Sequence, residues 1–207
     1  MNIIIKTKPG EVQRAQKWWD DLEMQWKFAY NEAVFGKGPV IEPPREDELM
    51  LLLIQVDTLR FAGPMAINPN LSFELDNLSG LVPLYQLRYL SVSNMKFTSL
   101  EPLKRHVNLE HLFVYENKLT SLHGIEKMVK LKDLYCQSNQ IKSLAPIKKL
   151  YQLETIYANG NQLEQIDGLN KKHKAQLKNL YILPNDQLRD EEILRVQNEL
   201  RIICKKG

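Results

Sequence analysis

A 22-residue repeat runs from Leu87 to Gln187, and it limits what this chain can fold into more than any other feature. Six apolar columns and one asparagine column recur at that spacing. The first half of the repeat contains Leu87, Leu109, Leu131 and Leu153; Leu90, Leu112, Leu134 and Ile156; and Val92, Val114, Cys136 and Ala158. The columns that follow are Met95, Asn117, Asn139 and Asn161; Phe97, Leu119, Ile141 and Leu163; Leu100, Leu122, Leu144 and Ile166; and Leu103, Ile125, Ile147 and Leu169. Four copies in register make a strong repeat signal.

A unit this short cannot bury its own apolar side, so each copy must stack on its neighbours around one shared core. In the first half of the repeat, apolar residues alternate with others, which is the periodicity of a β-strand. The stacked strands predict a parallel sheet with neighbours about 4.8 Å apart. An asparagine amide both donates and accepts hydrogen bonds, so we expect the asparagine after each strand to satisfy backbone groups of the turn.

The pattern L-x-x-L-x-V-x-x-N-x-L resembles that of the leucine-rich repeat family. The short repeat and its second half are similar to the subclass of bacterial internalins and of the leucine-rich repeat regulatory subunit of phosphatase-1. The resemblance implies an α/β solenoid with a curved parallel sheet on its concave face, extended or 3₁₀ turns on its convex side, and a general role in protein binding. We place the solenoid at residues 75–185, including a fifth repeat with a two-residue insertion near 170–174.

Residues 1–74 do not fit the repeat and predict a helical N-terminal cap. Apolar residues step by three and four along one face of a single helix. That face consists of Val12, Ala15, Trp19, Leu22, Trp26, Ala29 and Ala33. A loop over 36–45, a helix over 46–56 and a first sheet strand at 59–61 are expected to follow, while the pattern does not place the loop 64–71. We expect Trp18, Trp19 and Trp26 to seal the end of the core rather than to bind a partner. The run of isoleucines in residues 1–7 indicates a further strand.

Residues 186–207 predict a C-terminal cap made of a short helix and a strand. We expect Asn185 or Asp186 to begin the helix, with the carboxylates at 190–192 near its positive end. Ile193, Val196 and Leu200 share one helix face, and a last strand is expected over 201–204. The two caps and the solenoid are expected to form one structural domain.

Composition indicates one elongated domain in a cytoplasmic protein. A chain of 207 residues with 43% hydrophobic residues can bury a sizeable core. The apolar run behind Met1 and Asn2 is shorter than the core of a signal peptide, and the longest apolar stretch, 49–54, is too short to span a bilayer. Cys136 and Cys204 fall at core positions, which favours buried thiols over a disulfide.

No sequence motif indicates an enzyme. We find no glycine-rich phosphate loop, no cysteine pair at metal-binding spacing and no nucleophile elbow. The four histidines fall at different points of the repeat, without a carboxylate placed regularly beside them; they are His106, His111, His123 and His173. We therefore expect no catalytic residue, cofactor, metal ion or small-molecule substrate.

An aromatic column lies between two buried columns of the strands, where alternation places it on the concave face. Together with its neighbours it is our candidate binding surface for an unidentified protein or peptide. The candidate residues are Tyr89, His111, Phe113, Tyr115, Tyr135, Tyr157 and Tyr181. Aromatic pairing across strands could explain the column by stability alone, but tyrosine also supplies contact area and a hydroxyl at interfaces. A third interpretation is that the N-terminal helix or a second copy of the chain covers this face.

A basic column supports an alternative function. The net charge is +3, but residues 1–80 hold 8 basic and 12 acidic residues (−4), whereas residues 81–207 hold 20 and 13 (+7). Arg105, Lys127, Lys149 and Lys171 stand in register and suit nucleic acid or an acidic surface. The small net charge, and the expected separation of these side chains from the aromatic column, weigh against nucleic acid.

Overall fold

The chain forms a solenoid with one sheet of seven parallel strands, in a computed structural model that describes residues 10–207. The order of the strands in the sheet is their order in the chain. They are β1 (Thr58–Ala62), β2 (Tyr89–Ser93), β3 (His111–Phe113), β4 (Asp133–Tyr135), β5 (Thr155–Tyr157), β6 (Asn179–Leu183) and β7 (Cys204–Lys206). Residues 22 apart pair directly, as in Leu90 with Leu112 and Leu112 with Leu134. The predicted solenoid is therefore confirmed. Its first strand lies at the predicted 59–61, ahead of residue 75, while the strand predicted over 1–7 lies outside the described residues.

The core lies between the sheet and a series of 3₁₀ turns on the convex side. Four of these turns are Ser79–Leu81, Glu101–Leu103, Ala145–Ile147 and His173–Ala175. The leucine columns that alternate with the exposed strand residues are buried, for example Leu90, Leu112 and Leu134. Each such side chain contributes about 1.5–3 kcal/mol when it leaves water. The convex turns implied by the family resemblance are thus confirmed.

The asparagine column forms the buried ladder that the sequence predicts. Asn139 donates from Nδ2 to the carbonyls of Val114 (2.9 Å) and Cys136 (3.1 Å), and its Oδ1 accepts from the Leu119 N–H (2.9 Å). The same pattern recurs at Asn117, Asn161 and Asn185. In the first repeat, the sulfur of Met95 accepts from the Leu75 N–H at 3.2 Å instead.

The N-terminal cap contains two helices where the sequence predicts one. They are α1 (Glu11–Asp21) and α2 (Met24–Ala33), and the chain between them is extended at Leu22 (ψ 140°) and Glu23 (ψ 147°). The Glu23 carboxylate accepts hydrogen bonds from Ser79 Oγ (2.7 Å) and Asn77 Nδ2 (2.8 Å), so it fastens the break to the first 3₁₀ turn. The predicted apolar face is continuous in sequence, but the helix that carries it is not.

The tryptophans close the end of the core, as predicted. Trp19 and Trp26 are buried, and Trp26 packs edge-on against Phe61 of β1 with ring centroids 5.4 Å apart. Trp18 is half-buried and packs edge-on against Tyr30 at 5.6 Å. The third helix, α3 (Glu46–Ile54), begins where predicted and packs against α1. These helices seal the β1 end of the solenoid.

The C-terminal cap differs from its prediction in both boundaries. The helix α4 (Asp190–Arg195) begins after Arg189, because Asn185 is already used in the asparagine ladder. It continues as a π-helix over Val196–Leu200 and ends at Arg201, which takes a left-handed φ of 55°. The last strand therefore begins at Cys204, where the prediction ended it.

Two histidines fill equivalent core positions, which the sequence did not reveal. His106 and His173 are both buried, in the column that Leu84, Met128 and Leu150 occupy in other repeats. His106 Nε2 lies 2.9 Å from the carbonyl of Leu81, and His173 Nε2 lies 3.2 Å from that of Ile147, one repeat earlier in each case. Burial lowers the pKa of both imidazoles, against the raising effect of these hydrogen bonds. The insertion in the fifth repeat shifts the residue count and hides this equivalence.

Candidate protein-binding face

The pairing of the strands places one row of side chains along the middle of the concave face. We call this row the central row. It consists of Arg60, Ser91, Phe113, Tyr135, Tyr157, Tyr181 and Lys205. The four aromatic residues of the predicted binding column are therefore direct neighbours, one on each of four successive strands. The sequence did not single out the two cations at the ends of the row.

The rings of the central row form a continuous stack. Centroids lie 4.6 Å apart between Phe113 and Tyr135, 4.5 Å between Tyr135 and Tyr157, and 4.1 Å between Tyr157 and Tyr181. The interplanar angles are 28°, 16° and 14°. Tyr89 extends the stack from the adjacent row, 5.1 Å from Phe113. Because each inner ring has a neighbour on both faces, the stack offers ring edges and hydroxyl groups to a ligand.

The hydroxyls of Tyr89, Tyr135 and Tyr157 are neutral near neutral pH, because the pKa of each is raised. Burial, then a hydrogen bond with Tyr181, raises the pKa of Tyr157 to about 12. Burial and the nearby Asp133 carboxylate raise the pKa of Tyr135, and burial raises that of Tyr89. A neutral phenol both donates and accepts a hydrogen bond.

The row beside the aromatic stack carries a histidine–carboxylate pair. His111 Nδ1 lies 2.7 Å from Asp133 Oδ2, and the His111 ring lies 6.1 Å from that of Tyr89. Across residues 10–207, no group of three or more histidine, cysteine or acidic side chains is arranged to hold a metal ion. Both cysteines are free and buried thiols, as predicted.

A loop that the sequence did not place forms one end of the face. Residues 63–71 follow β1 and are held by Asn70, whose Oδ1 accepts from the Ala62 N–H (2.7 Å) and whose Nδ2 donates to the Arg60 carbonyl (2.8 Å). The side chains of Met65 and Ile67 project from this loop with 80% and 98% exposure. Together with Arg60, Asn94, Tyr115 and Glu116, the loop borders a hollow of about 280 Å³. The candidate residue Tyr115 thus faces this hollow, beside the aromatic stack.

The N-terminal helices do not lie over the aromatic stack. Their buried rings pack on Phe61, which faces the core side of β1, whereas Arg60 of the same strand faces the other side. The interpretation in which the N-terminal helix covers the binding face is therefore wrong for the described part of the chain.

The basic column lies on turns outside the sheet, away from the central row. Arg105 stands over the ring of Tyr85 at 5.1 Å, and the ring of Tyr85 lies 5.7 Å from that of His106. Lys127, Lys149 and Lys171 are exposed, and among the described residues they have no carboxylate within 4.0 Å. A second column, by contrast, pairs its charges from repeat to repeat. Its ion pairs are Arg88–Glu110 (2.6 Å), Lys132–Glu110 (2.7 Å) and Lys178–Glu154 (2.5 Å).

Among residues 10–207, no helix reaches the length and apolar content that crossing a bilayer requires.

Comparison with known proteins identifies similar repeats and similar folds. A family model described as "Leucine Rich repeats (2 copies)" matches residues 107–149 and 129–171. No curated protein matches the sequence significantly. The crystal structure of an internalin (inlF) of Listeria monocytogenes is similar with a TM-score of 0.55 and 25% identity, over 64% of this chain and 37% of that one. Internalin C2 of the same organism is similar with a TM-score of 0.57 and 19% identity, over 89% of this chain and 93% of that one. A leucine-rich repeat protein of Leptospira interrogans is similar with a TM-score of 0.60 and 22% identity, over 83% and 41%. The chain thus spans well under half the length of the first and third of these structures.

Proposed function

We propose that this chain, which matches a leucine-rich repeat model over residues 107–171 and folds as a repeat solenoid, is a non-catalytic module that binds a protein or peptide through its concave face. The observation that carries the proposal is the aromatic stack of Phe113, Tyr135, Tyr157 and Tyr181. Leucine-rich repeats are typically protein-interaction modules, and their stacked repeats create extended concave binding surfaces. Tyrosine is enriched among the residues that dominate binding energy at such surfaces.

The aromatic stack also stabilises the sheet, but stability alone does not require the hydroxyl groups that three of its four rings carry. Cross-strand aromatic pairs contribute about 0.2–1 kcal/mol each, and phenylalanine would supply the same ring contacts. Three of the four rings carry hydroxyl groups, and burial keeps those of Tyr135 and Tyr157 protonated by raising their pKa. Neutral hydroxyls along a row of ring edges suit the donors and acceptors of a polypeptide.

Removing two rings tests the proposal. We expect the double variant Tyr135→Ala/Tyr157→Ala to lose at least about a hundredfold in partner affinity, since each buried aromatic contact typically contributes about 2 kcal/mol. Partner capture from extracts of the native cell, followed by titration of the captured protein, measures this loss. Circular dichroism and the melting temperature show whether the fold is retained. Val107→Ala/Val129→Ala, a pair of exposed apolar residues outside the sheet, is the matched control.

A second candidate function rests on the unpaired basic column. Lys127 and Lys149 have no carboxylate partner among the described residues, whereas Arg88, Lys132 and Lys178 are all paired. Such uncompensated charge favours nucleic acid or an acidic surface, with an affinity that falls steeply as salt is added. If Lys127→Ala/Lys149→Ala abolishes capture while the tyrosine double variant captures normally, this second function replaces the first.

A further inference from the structure

Cations occupy both ends of the central row. Arg60 begins the row on β1 and Lys205 ends it on β7, and Lys206 pairs with Leu183 in the adjacent row. Arg60 donates to the carbonyl of Asn68, and Lys205 donates to Asn179 Oδ1 (2.8 Å). Neither side chain has a carboxylate within 4.0 Å among residues 10–207. Two positive charges that have no carboxylate partner within the described part of the chain therefore bracket the aromatic row.

The stack leaves no free ring face for a ligand that binds by face-to-face aromatic stacking. The faces of Tyr135 and Tyr157 are covered by their neighbours at 4.1–4.6 Å, and Lys205 lies over Tyr181 at 5.4 Å. Single-stranded nucleic acids rely on free aromatic faces for base stacking. A polypeptide backbone, with alternating donors and acceptors, instead matches a row of ring edges and neutral hydroxyls.

The distance between the two cations sets the length of the ligand. Seven strands make six steps of about 4.8 Å, so the row is about 29 Å long. An extended peptide advances about 3.3 Å per residue, which gives about nine residues between the ends of the row.

Exposed apolar side chains lie beside the Arg60 end of the row. Met65 and Ile67 stand beside Arg60 at the border of the 280 Å³ hollow. Their exposure does not come from a loose loop, because Asn70 fixes the loop to β1 at both the Ala62 N–H and the Arg60 carbonyl. An apolar side chain of the ligand is therefore favoured beside the group that meets Arg60.

We propose that the concave face binds an extended peptide segment of about nine residues, with an acidic side chain at each end and an apolar side chain beside the acidic group that meets Arg60. This inference rests on the proposed function and specifies its ligand.

Selection from a library of random 12-residue peptides displayed on phage tests the proposal. The full chain is the immobilised target, and we expect selected sequences to share two acidic positions about eight residues apart, with an apolar residue next to one of them. Arg60→Glu should lower the affinity of a selected, fluorescently labelled peptide about tenfold or more, as should Lys205→Glu/Lys206→Glu.

Charge exchange identifies which end of the peptide meets which cation. Replacing one acidic residue of the peptide by lysine should restore binding to Arg60→Glu, and replacing the other should restore binding to Lys205→Glu/Lys206→Glu. Lys142→Glu, a reversal at an exposed lysine outside the central row, should change neither the selected sequences nor the affinity.

Several outcomes overturn the inference. One is a selection that recovers no peptide, or only peptides that lack the acidic pair. Another is a selected peptide that binds equally well after charge reversal at Arg60 and Lys205. A third is displacement of the peptide by a single-stranded oligonucleotide at equal concentration. In each case the proposed function is judged separately, by whether Tyr135→Ala/Tyr157→Ala loses the partner captured from cell extract.

Discussion

At the scale of single residues, one asparagine amide holds two neighbouring repeats together. Asn139 bonds to carbonyls of Val114 and Cys136, which belong to successive repeats, and to the Leu119 N–H. Alanine leaves these buried backbone groups without partners, at a cost of about 1–3 kcal/mol for each unsatisfied group. We therefore expect Asn139→Ala to lower the free energy of unfolding by at least that amount in urea titrations. Lys142→Ala, a nearby exposed control, should change it by less than about 0.5 kcal/mol. Equal effects would contradict the ladder.

The buried histidines make stability depend on pH. The pKa of His106 and of His173 is lowered in the folded chain, chiefly by burial, so protons bind more readily to the unfolded chain. The two histidines therefore do not reduce the free energy of unfolding above the unfolded-state pKa of about 6.5. As the pH falls through and below that value, the unfolded chain takes up protons more readily and the free energy of unfolding decreases.

Replacing both histidines should remove this dependence. We expect the melting temperature of the native chain to fall between about pH 7.5 and pH 5.5, and to fall less in His106→Met/His173→Leu, which uses residues found in the same core column. His123→Ala, which changes an exposed histidine, should retain the full dependence. The prediction fails if the double variant and the native chain lose the same number of degrees.

At the scale of elements, the docking of α2 depends on one glycine in the first 3₁₀ turn. A Cβ built on Gly80 would lie 2.2 Å from Cδ2 of Trp26. The same turn accepts a hydrogen bond from Tyr30 Oη at the Gly80 carbonyl (2.8 Å), and Trp26 Nε1 donates to Asn77 Oδ1 (3.2 Å). The helix therefore sits directly on the backbone of the first repeat.

Adding a methyl group at this contact should separate the helix from the turn. We expect Gly80→Ala to lower the free energy of unfolding by about 1–3 kcal/mol, as overpacking typically does, and to increase the fluorescence response of the tryptophans to a soluble quencher. Val82→Ala, at an exposed position next to the same turn, should leave both measurements nearly unchanged. An unaffected Gly80→Ala variant would show that Trp26 can move without loss.

The sequence predicts the elements that depend on local periodicity and misses those that depend on distant partners. The strand positions follow from the 22-residue columns because residues one repeat apart lie side by side in the sheet. The periodicity of apolar residues does not predict the break between α1 and α2 at Glu23, because Asn77 and Ser79, the hydrogen-bond partners of Glu23, are more than fifty residues away. The loop 64–71 was not placed either, because Asn70 fixes it through side-chain hydrogen bonds to β1 that apolar periodicity does not encode.

The candidate face was predicted in part. Alternation within the strands placed Phe113, Tyr135 and Tyr157 in one column, and the structure confirms that they are neighbours. The ends of that row could not be predicted from the repeat. Arg60 and Lys205 lie in the caps, outside the repeating columns, and only the strand pairing brings them into line with the rings.

At the scale of the whole molecule, each repeat touches only its neighbours, so the ends of the core need covers. The N-terminal helices bury Trp19, Trp26 and Tyr30 at the β1 end. We expect a chain that begins at residue 46 to aggregate or to melt far below the intact chain, because it exposes Phe61 and the end of the core. Size-exclusion chromatography and calorimetry measure this. The control Lys17→Ala, at an exposed residue of α1, should behave like the intact chain. A soluble monomeric truncation with an unchanged melting temperature would make the N-terminal segment a separate module.

The sheet has a different chemical character at its two edges. At the β1 end the helices pack on the core side of the strand, whereas β7 is last in the strand order and carries Lys205 and Lys206. An open edge of this kind can template the addition of a foreign strand, and joining the β7 edge of one copy to another copy is a head-to-tail contact that grows into fibres. Lys205 and Lys206 at the β7 edge and Arg60 on β1 carry like charges, so charge repulsion opposes such a head-to-tail contact between two copies.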